Sequence, residues 1–331
     1  MHRRGLLLAM PAALAAATLA SPALAQPRWV PERTIRIIVA FPPGGSTDVV
    51  SRVIAEQLGS ALGQAVVVEN RGGASGMIGT EAAARAVPDG HTLLMTASGP
   101  QAINPSLFPS VPYDPVKGFA PIILVAVYPL LMVTPMDRAP RTVAEFIARA
   151  KANPGRLNYC SIGTGQPSHL AGELFKAMAG IEMTHVPYRG SGPAVTAAMA
   201  GECDVLFDSA LSSGPQVRGG RLRALAVSTR EPVGSWPELP TVAQAGGAAG
   251  LAGYDAYTWN ALVAPAGTPE AAVARLNEEV GRILAAPRFR AQLEAQGAVP
   301  GGGTPQAMAR FLDSEIAKWA AVIKAGDTRP E

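Results

Sequence analysis

The chain has 331 residues, of which 48% are hydrophobic, 16% are charged and 5% are aromatic, with a formal net charge of +3. This length is enough to bury two α/β cores. Without its first 25 residues, which carry two arginines, the chain would have 26 basic and 25 acidic side chains. The near-neutral balance, with no cluster of basic residues, argues against a nucleic acid partner.

The first 25 residues have the composition of an export signal. An arginine pair precedes the apolar residues 6–19, and the small-residue sequence Ala23-Leu24-Ala25 follows. This order predicts cleavage after Ala25 and a mature protein in the periplasm. An uncleaved anchor is the less favoured alternative, because the apolar stretch contains a proline and is short for a membrane span.

The mature chain begins with a predicted strand, loop and helix. Ile35–Ala40 is apolar, Phe41–Asp48 is rich in proline and glycine, and a helical pattern follows from Val49. A loop of this kind leaves backbone N–H groups unpaired at the positive end of the helix dipole, which is a site for an anion. A nucleotide P-loop would need a lysine here, and none is present. A plain helix cap, with Asp48 as dipole partner, is the alternative; the Asp48 carboxylate would also repel a bound anion.

Strand-like and helical patterns alternate through the rest of the chain, which indicates βαβ units and a parallel sheet. Two short apolar strands that end in proline, 131–135 and 261–265, echo each other, and we interpret them as paired crossings between two domains. The first domain then comprises residues 26–133 and 259–331, and the second comprises residues 134–258. The three helices predicted after residue 269 return to the first domain.

A second loop of the same kind lies in the inserted domain. The strand Leu157–Cys160 is followed by Ser161–Ser168, which contains Gly163-Thr164-Gly165, and then by a helix from His169. Two such loops suggest two domains that hold one anionic ligand between them. His169 is a candidate ligand group, although a structural role is commoner for a single histidine in a first helical turn.

Further candidates lie beyond the carboxyl ends of other predicted strands, where open α/β sheets bind their ligands. These loops contribute Ser98, Tyr188 and Asp208. Strand-end packing and capping are the alternative roles for Tyr188 and Asp208.

Catalysis and metal binding have little support. The three histidines of the mature chain lack metal-ligand spacing, so we expect no metal and no cofactor. Ser168, His169 and Asp208 are the ingredients of a hydrolytic triad, but the G-x-S-x-G elbow is absent. Adjacent serine and histidine on a helix also point in different directions. We therefore predict that the protein is not an enzyme.

The chain has two cysteines, Cys160 and Cys203, which could form one disulfide in an exported protein. The first is placed late in one predicted strand and the second at the start of another. In parallel neighbouring strands these positions lie at opposite ends, which argues against the bond.

Five segments form an ordered set along the chain: Phe41-Pro42-Pro43-Gly44-Gly45 with Asp48 and Arg52; Tyr113-Asp114-Pro115; Gly163-Thr164-Gly165 with His169-Leu170; His185-Val186-Pro187-Tyr188-Arg189-Gly190; and Ala264-Pro265-Ala266-Gly267-Thr268-Pro269. This set resembles the Bug family, the periplasmic substrate-binding components of tripartite tricarboxylate transporters. The resemblance covers essentially the whole chain. Gly118 and the two cysteines depart from the family pattern.

The resemblance implies an α/β, two-domain periplasmic binding protein of type II-like fold that closes on its ligand. Each domain would be a mostly parallel sheet flanked by helices, with the ligand cleft between them. In the family, backbone groups and ordered waters at two facing loops hold a carboxylate. The candidate ligand-binding residues are Phe41, Pro43, Gly44, Gly45, Ser46, Asp48, Ser98, Ser161, Gly163, Thr164, Gly165, Ser168, His169, Tyr188 and Asp208.

The implied function is capture of a small mono-, di- or tricarboxylate, or a related polar metabolite. The implied partners are the large and small membrane subunits of a tripartite tricarboxylate transporter. A periplasmic ligand sensor and, less favoured, a periplasmic hydrolase are the alternatives. We expect a monomer, and the sequence does not identify the ligand.

Overall fold

The computed structural model describes residues 28–137, 140–295, 297–326 and 328–329. The predicted export signal, residues 1–25, lies outside these ranges. Among the helices within them, none combines the length and the apolar character needed to cross a bilayer.

The described strands form one mixed sheet. They are β1 (Ile35–Val39), β2 (Val66–Asn70), β3 (Thr92–Ala97), β4 (Phe119–Pro135), β5 (Asn158–Ser161), β6 (Thr184–Pro187), β7 (Val205–Ser209), β8 (Leu222–Val227), β9 (Tyr257–Pro265) and β10 (Val299–Gly302). Their order is β2-β1-β3-β9-β4-β7-β5-β6, and β8 and β10 also pair with β4. The strand β1 is parallel to β2 and β3, and β5 is parallel to β6 and β7. All pairings of β4 and β9 are antiparallel.

Helices connect the strands and flank the sheet, so the expected α/β fold is confirmed. They are α1 (Ser46–Leu62), α2 (Met77–Ala84), α3 (Asn104–Leu107), α4 (Val143–Ala152), α5 (Pro167–Ala179), α6 (Ser191–Met199), α7 (Ala210–Arg218), α8 (Val242–Gly246), α9 (Glu270–Ala285), α10 (Pro287–Ala295) and α11 (Pro305–Ala325). A short π-helical segment, Gly99–Ile103, precedes α3.

The strand β4 links the two parts of the sheet. Its residues 119–129 pair with β9, whereas residues 130–135 pair with β7 and β8. The sequence predicted a strand only from residue 131, because Pro121 and Pro129 interrupt the preceding segment and proline is disfavoured inside strands. A shift of register between Pro121 and Ile123 accommodates the first of these prolines. The use of β4 and β9 as domain crossings, and the domain boundaries, stay predictions.

The two largest hydrophobic clusters divide the C-terminal helices between them. Helices α9 and α10 bury residues such as Leu276 and Leu293 in the cluster that contains β1. Helix α11 instead buries Leu312 and Trp319 in the cluster that contains Phe146 of α4. The α11 residue Glu315 is buried there and accepts a hydrogen bond from Trp319 Nε1 at 3.1 Å. The last helix is therefore packed differently from the two before it.

Cys160 and Cys203 form a disulfide, so the expectation against this bond is wrong. The strands β5 and β7 are parallel neighbours, as predicted, with Cys160 opposite Leu206. Cys203, however, lies ahead of β7 in the turn that leaves α6, and its Cα lies 5.7 Å from that of Cys160. Because the turn folds back towards β5, strand register alone did not give the distance between the two cysteines.

Candidate ligand-binding site

A cavity of about 630 Å³ lies where the loop after β1 faces the loops after β5 and β7. Its lining comprises residues 41–47, 97–99, 128, 130, 162, 166–168, 191, 208–209, 211–212 and 258. Strands β4 and β9 contribute Tyr128, Leu130 and Thr258, and the Thr258 hydroxyl lies 2.8 Å from that of Ser98. Segments from both sides of the central strands β9 and β4 in the sheet order therefore contribute to one concave site.

The first loop, Phe41–Asp48, exposes its backbone to the cavity. Residues 42–45 are exposed, and α1 begins immediately after Gly45, which is its N-cap. Gly44 has a φ of +92°, a conformation that a residue with a Cβ adopts only with strain. The first N–H groups of α1 have no partner within the helix. This loop therefore presents hydrogen-bond donors to the cavity.

Asp48 is held inside the first loop and does not line the cavity. Its carboxylate accepts hydrogen bonds from the Gly44 N–H at 2.9 Å, from Asn70 Nδ2 at 2.9 Å and from Arg52 Nε at 3.1 Å. The hydrogen bond from Arg52, with those from Gly44 and Asn70, outweighs burial and lowers the pKa of Asp48 to about 2. The repulsion that the sequence suggested is thereby countered by an ion pair.

Four helices begin at the cavity. The lining includes Ser46, Pro167 and Ser191, the first residues of α1, α5 and α6, and Ser209, the N-cap of α7. Each helix start carries a partial positive charge. In the lining, Asp208 is the only formally charged side chain among the described residues. The helix starts are therefore the main positive features of the site.

The second loop, Ser161–Ser168, has much of its backbone engaged internally. The Gly163 N–H donates to Ser161 Oγ at 3.2 Å, and the Gly165 N–H donates to His169 Nδ1 at 3.0 Å. Ser161 Oγ lies 2.7 Å from His185 Nε2. The residues of this loop that line the cavity are Ile162, Gln166, Pro167 and Ser168.

His169 is buried in a stack of three rings. Its ring centroid lies 3.9 Å from that of His185 and 6.1 Å from that of Tyr159, with interplanar angles of 13° in both pairs. Burial, together with the positive potential of His185 and Lys176, lowers the pKa of His169 to about 3. A neutral imidazole is also what the contact with Gly165 requires, because Nδ1 must accept the hydrogen bond.

Asp208, the penultimate residue of β7, lies at the cavity and is fully buried. Its Oδ1 accepts a hydrogen bond from Ser191 Oγ at 2.6 Å, and its Oδ2 accepts one from Ser212 Oγ. Burial raises the pKa of Asp208 above its usual value, although the serine hydroxyls oppose the shift. The carboxylate therefore lies behind two serines that face the cavity.

Comparison with known proteins identifies the family. Residues 50–327 match the model of the tripartite tricarboxylate transporter family receptor, TctC. The chain is 37% identical to protein BugT of Bordetella pertussis over 312 residues, 94% of each chain. The chain belongs to this receptor family. The resemblance to the Bug proteins is thereby confirmed.

Solved structures of similar proteins contain small dicarboxylates. The chain is 36% identical to Rpa4515 of R. palustris, a structure with adipate, with a TM-score of 0.79 over 91% of this chain and 99% of that one. It is 33% identical to MatC of Rhodopseudomonas palustris, a structure with bound malate, with a TM-score of 0.74 over 88% and 99% of the two chains.

The receptor's predicted site residues fall into two groups. Those in the cavity lining are Phe41, Pro43, Gly44, Gly45, Ser46, Ser98, Ser168 and Asp208. Those outside the lining are Asp48, Ser161, Gly163, Thr164, Gly165, His169 and Tyr188. Several of the second group support the loops, and the Tyr188 hydroxyl donates to Glu202 Oε2 at 2.8 Å.

Several lining residues were not among the predicted ones. They include the strand residues Tyr128, Leu130 and Thr258, and Thr47, Ser191, Ser209 and Ser212 at helix starts. The sequence contained a signal for two of the serines, because Ser191 and Ser209 lie in the loops that follow predicted strands. The strand residues had none, since their proximity depends on the pairing of β4 with β9.

The three ingredients of a hydrolytic triad are bonded to different groups. Ser168 Oγ donates to the Phe207 carbonyl oxygen, His169 Nδ1 accepts from Gly165, and Asp208 accepts from two serines. No cluster of three or more metal-ligating side chains occurs in the described ranges either.

Proposed function

We propose that this protein is a periplasmic receptor that captures a small carboxylate in the cavity between its two predicted domains. The ligand class comprises mono-, di- and tricarboxylates and related polar metabolites. The observation that carries the proposal is the first loop, whose exposed backbone and helix start form a donor-rich surface without a basic side chain.

The energy of binding can come from backbone groups and helix dipoles. Three or four charge-assisted hydrogen bonds at about 1.5–3 kcal/mol each, with helix starts at about 0.3–1 kcal/mol each, can offset the cost of immobilisation. A net value on the order of −8 kcal/mol corresponds to micromolar affinity. Bridging waters would let one loop accept several acids.

Capture would couple to domain closure. Residues of the first loop come from one predicted domain, and Gln166–Ser168 and Asp208 come from the other. A ligand that contacts both sides only in the closed state shifts the equilibrium towards that state. The closed receptor would deliver its ligand to the large and small membrane subunits of a tripartite tricarboxylate transporter, after export and cleavage beyond Ala25, and would catalyse no reaction.

A carboxylate library tested by thermal shift, followed by calorimetric titration, examines this proposal. We expect at least one small carboxylate to bind, and we expect Gly44→Val to reduce the affinity for that ligand by at least about a hundredfold. A β-branched side chain at a φ of +92° would move the backbone donors of the first loop.

Gly63→Val is a matched control, because Gly63 also has a positive φ, +67°, and a Cβ there would likewise meet nothing within 4 Å. Gly63 ends α1 away from the cavity lining. Equal affinity in the folded Gly44→Val and Gly63→Val variants would contradict the assignment of the first loop.

A further inference from the structure

Asp208 places an acidic side chain at one side of the cavity, which a site for an anion does not need. It is fully buried, and it is the only formally charged side chain among the described lining residues. Burial raises its pKa, and the hydrogen bonds that oppose this shift come from serines rather than from lysine or arginine. Among the described residues, no basic side chain pairs with this carboxylate.

The two serines transmit this charge to the cavity. A hydroxyl has one proton and two lone pairs. Ser191 donates its proton to Asp208 Oδ1, and Ser212 donates to Asp208 Oδ2, with the Ser209 carbonyl oxygen as its second acceptor at 3.2 Å. Both serines are half-buried and line the cavity, so they present only lone pairs to a ligand. We call Ser191, Asp208 and Ser212 the acceptor edge.

The opposite side of the cavity has the reverse polarity. Residues 45–47 of the first loop, which we call the donor edge, present backbone N–H groups and the start of α1. A carboxylate fits the donor edge. A second carboxylate on the same molecule would meet oxygen lone pairs and a buried negative charge at the acceptor edge.

We propose that the acceptor edge selects a carboxylate whose other end is a hydrogen-bond donor, an ammonium or amide group, and discriminates against dicarboxylates. This inference rests on the proposed function and refines its ligand class. Ammonium and amide N–H groups can donate to Ser191 and Ser212 and complement the Asp208 charge. The adipate and malate found in similar structures lack such a group, so this receptor would differ from those proteins in its ligand.

A series of ligands matched in length tests the selection. For chains of four, five and six carbons, calorimetric titration compares the ω-amino carboxylate, the dicarboxylate and the simple alkanoate. We expect the wild-type protein to bind the best ω-amino carboxylate at least tenfold more tightly than the dicarboxylate of equal length. We expect Asp208→Asn to reduce that ratio at least tenfold, because the amide removes the charge and lets a serine hydroxyl turn towards the ligand.

Two further variants serve as a control for the change of charge and as a second test of the acceptor edge. Asp313→Asn makes the same change of charge on the exposed face of α11, away from the cavity lining, and should leave the ratio unchanged. Ser191→Ala removes one acceptor but keeps the Asp208 charge, so it should weaken the ω-amino carboxylate severalfold and leave the dicarboxylate weak. Circular dichroism and thermal unfolding would confirm that each variant is folded.

The outcomes separate the two proposals. Failure of every ligand to bind the wild-type protein would contradict the proposed function. Binding of a dicarboxylate as tightly as its ω-amino counterpart would overturn the selection alone. An unchanged ratio in the folded Asp208→Asn variant would also overturn the selection. If that variant does not fold, an unchanged affinity of Ser191→Ala for the ω-amino carboxylate would have the same meaning.

Discussion

The first and second loops follow one pattern in the sequence but are stabilised by opposite chemistry. Each follows a short strand and leads into a helix, α1 or α5. The first loop is fixed by a carboxylate, Asp48, which accepts the Gly44 N–H and pairs with Arg52. The second is fixed by a neutral imidazole, His169, which accepts the Gly165 N–H.

This difference decides which loop can offer its backbone to a ligand. In the first loop, the Asp48 carboxylate lies behind the chain and accepts the Gly44 N–H. Residues 42–45 nevertheless remain exposed, and the N–H groups of Ser46 and Thr47 have no partner within α1. In the second loop, the N–H groups of Gly163 and Gly165 are bonded within the protein. Similar glycine patterns can therefore serve different roles, one as a binding surface and the other as a support.

The largest expected effect concerns acid stability through His169. The pKa falls from 6.5 to about 3 on folding, so the unfolded chain takes up a proton in this range and the folded chain does not. The stabilisation is complete above pH 6.5 and is lost as pH falls towards 3, by roughly 4–5 kcal/mol in free energy of unfolding. Urea unfolding from pH 7 to pH 3.5 would measure this slope.

The matched variant is His169→Gln, whose side-chain oxygen can still accept the Gly165 N–H but does not titrate. We expect the difference in free energy of unfolding between the wild-type protein and this variant to shrink steadily below pH 6.5. If this difference in free energy of unfolding stays constant with pH, His169 is not a buried neutral residue. The two loops would then not differ in the way described above.

The next effect separates the loops by affinity. We expect Gly163→Val to reduce the affinity for the same ligand by less than about tenfold. Gly44→Val should reduce it about a hundredfold, which corresponds to about 2.7 kcal/mol. The reason is that the Gly163 N–H bonds to Ser161 and Gly163 lies outside the cavity lining. Calorimetric titration of both folded variants measures the difference. Equal losses would show that both loops bind the ligand.

The smallest effect concerns Asp48. Its pKa is lowered from 3.8 to about 2 in the folded protein, so its stabilisation is present above pH 3.8 and is lost as pH falls through 2. Asp48→Asn should lower the free energy of unfolding at pH 7 by about 1–2 kcal/mol, a value that allows for screening of the half-exposed Arg52 partner. A double-mutant cycle with Arg52→Gln, analysed by urea unfolding, would isolate the ion pair; additive losses would show that it contributes nothing.

The sequence by itself determined the features that depend on local pattern. Apolar periodicity and capping residues located the starts of α1 and α5 to within a few residues and predicted the three helices after residue 269. Proline and glycine fixed the loop Phe41–Asp48, because they restrict the backbone wherever they occur. The ordered motifs also identified the receptor family, which the family match confirms.

Only the tertiary structure decided the features that depend on long-range contacts. The pairing of β4 with β9 overrides the two prolines that hid the part of that strand before residue 131, and the turn before β7 brings Cys203 to Cys160. The packing of α11 and the placement of Asp208 behind Ser191 and Ser212 belong to the same class. Hydrogen-bond partners distant in sequence decide which N–H groups remain available to a ligand and which serines face the cavity as acceptors. The local sequence pattern does not contain this information.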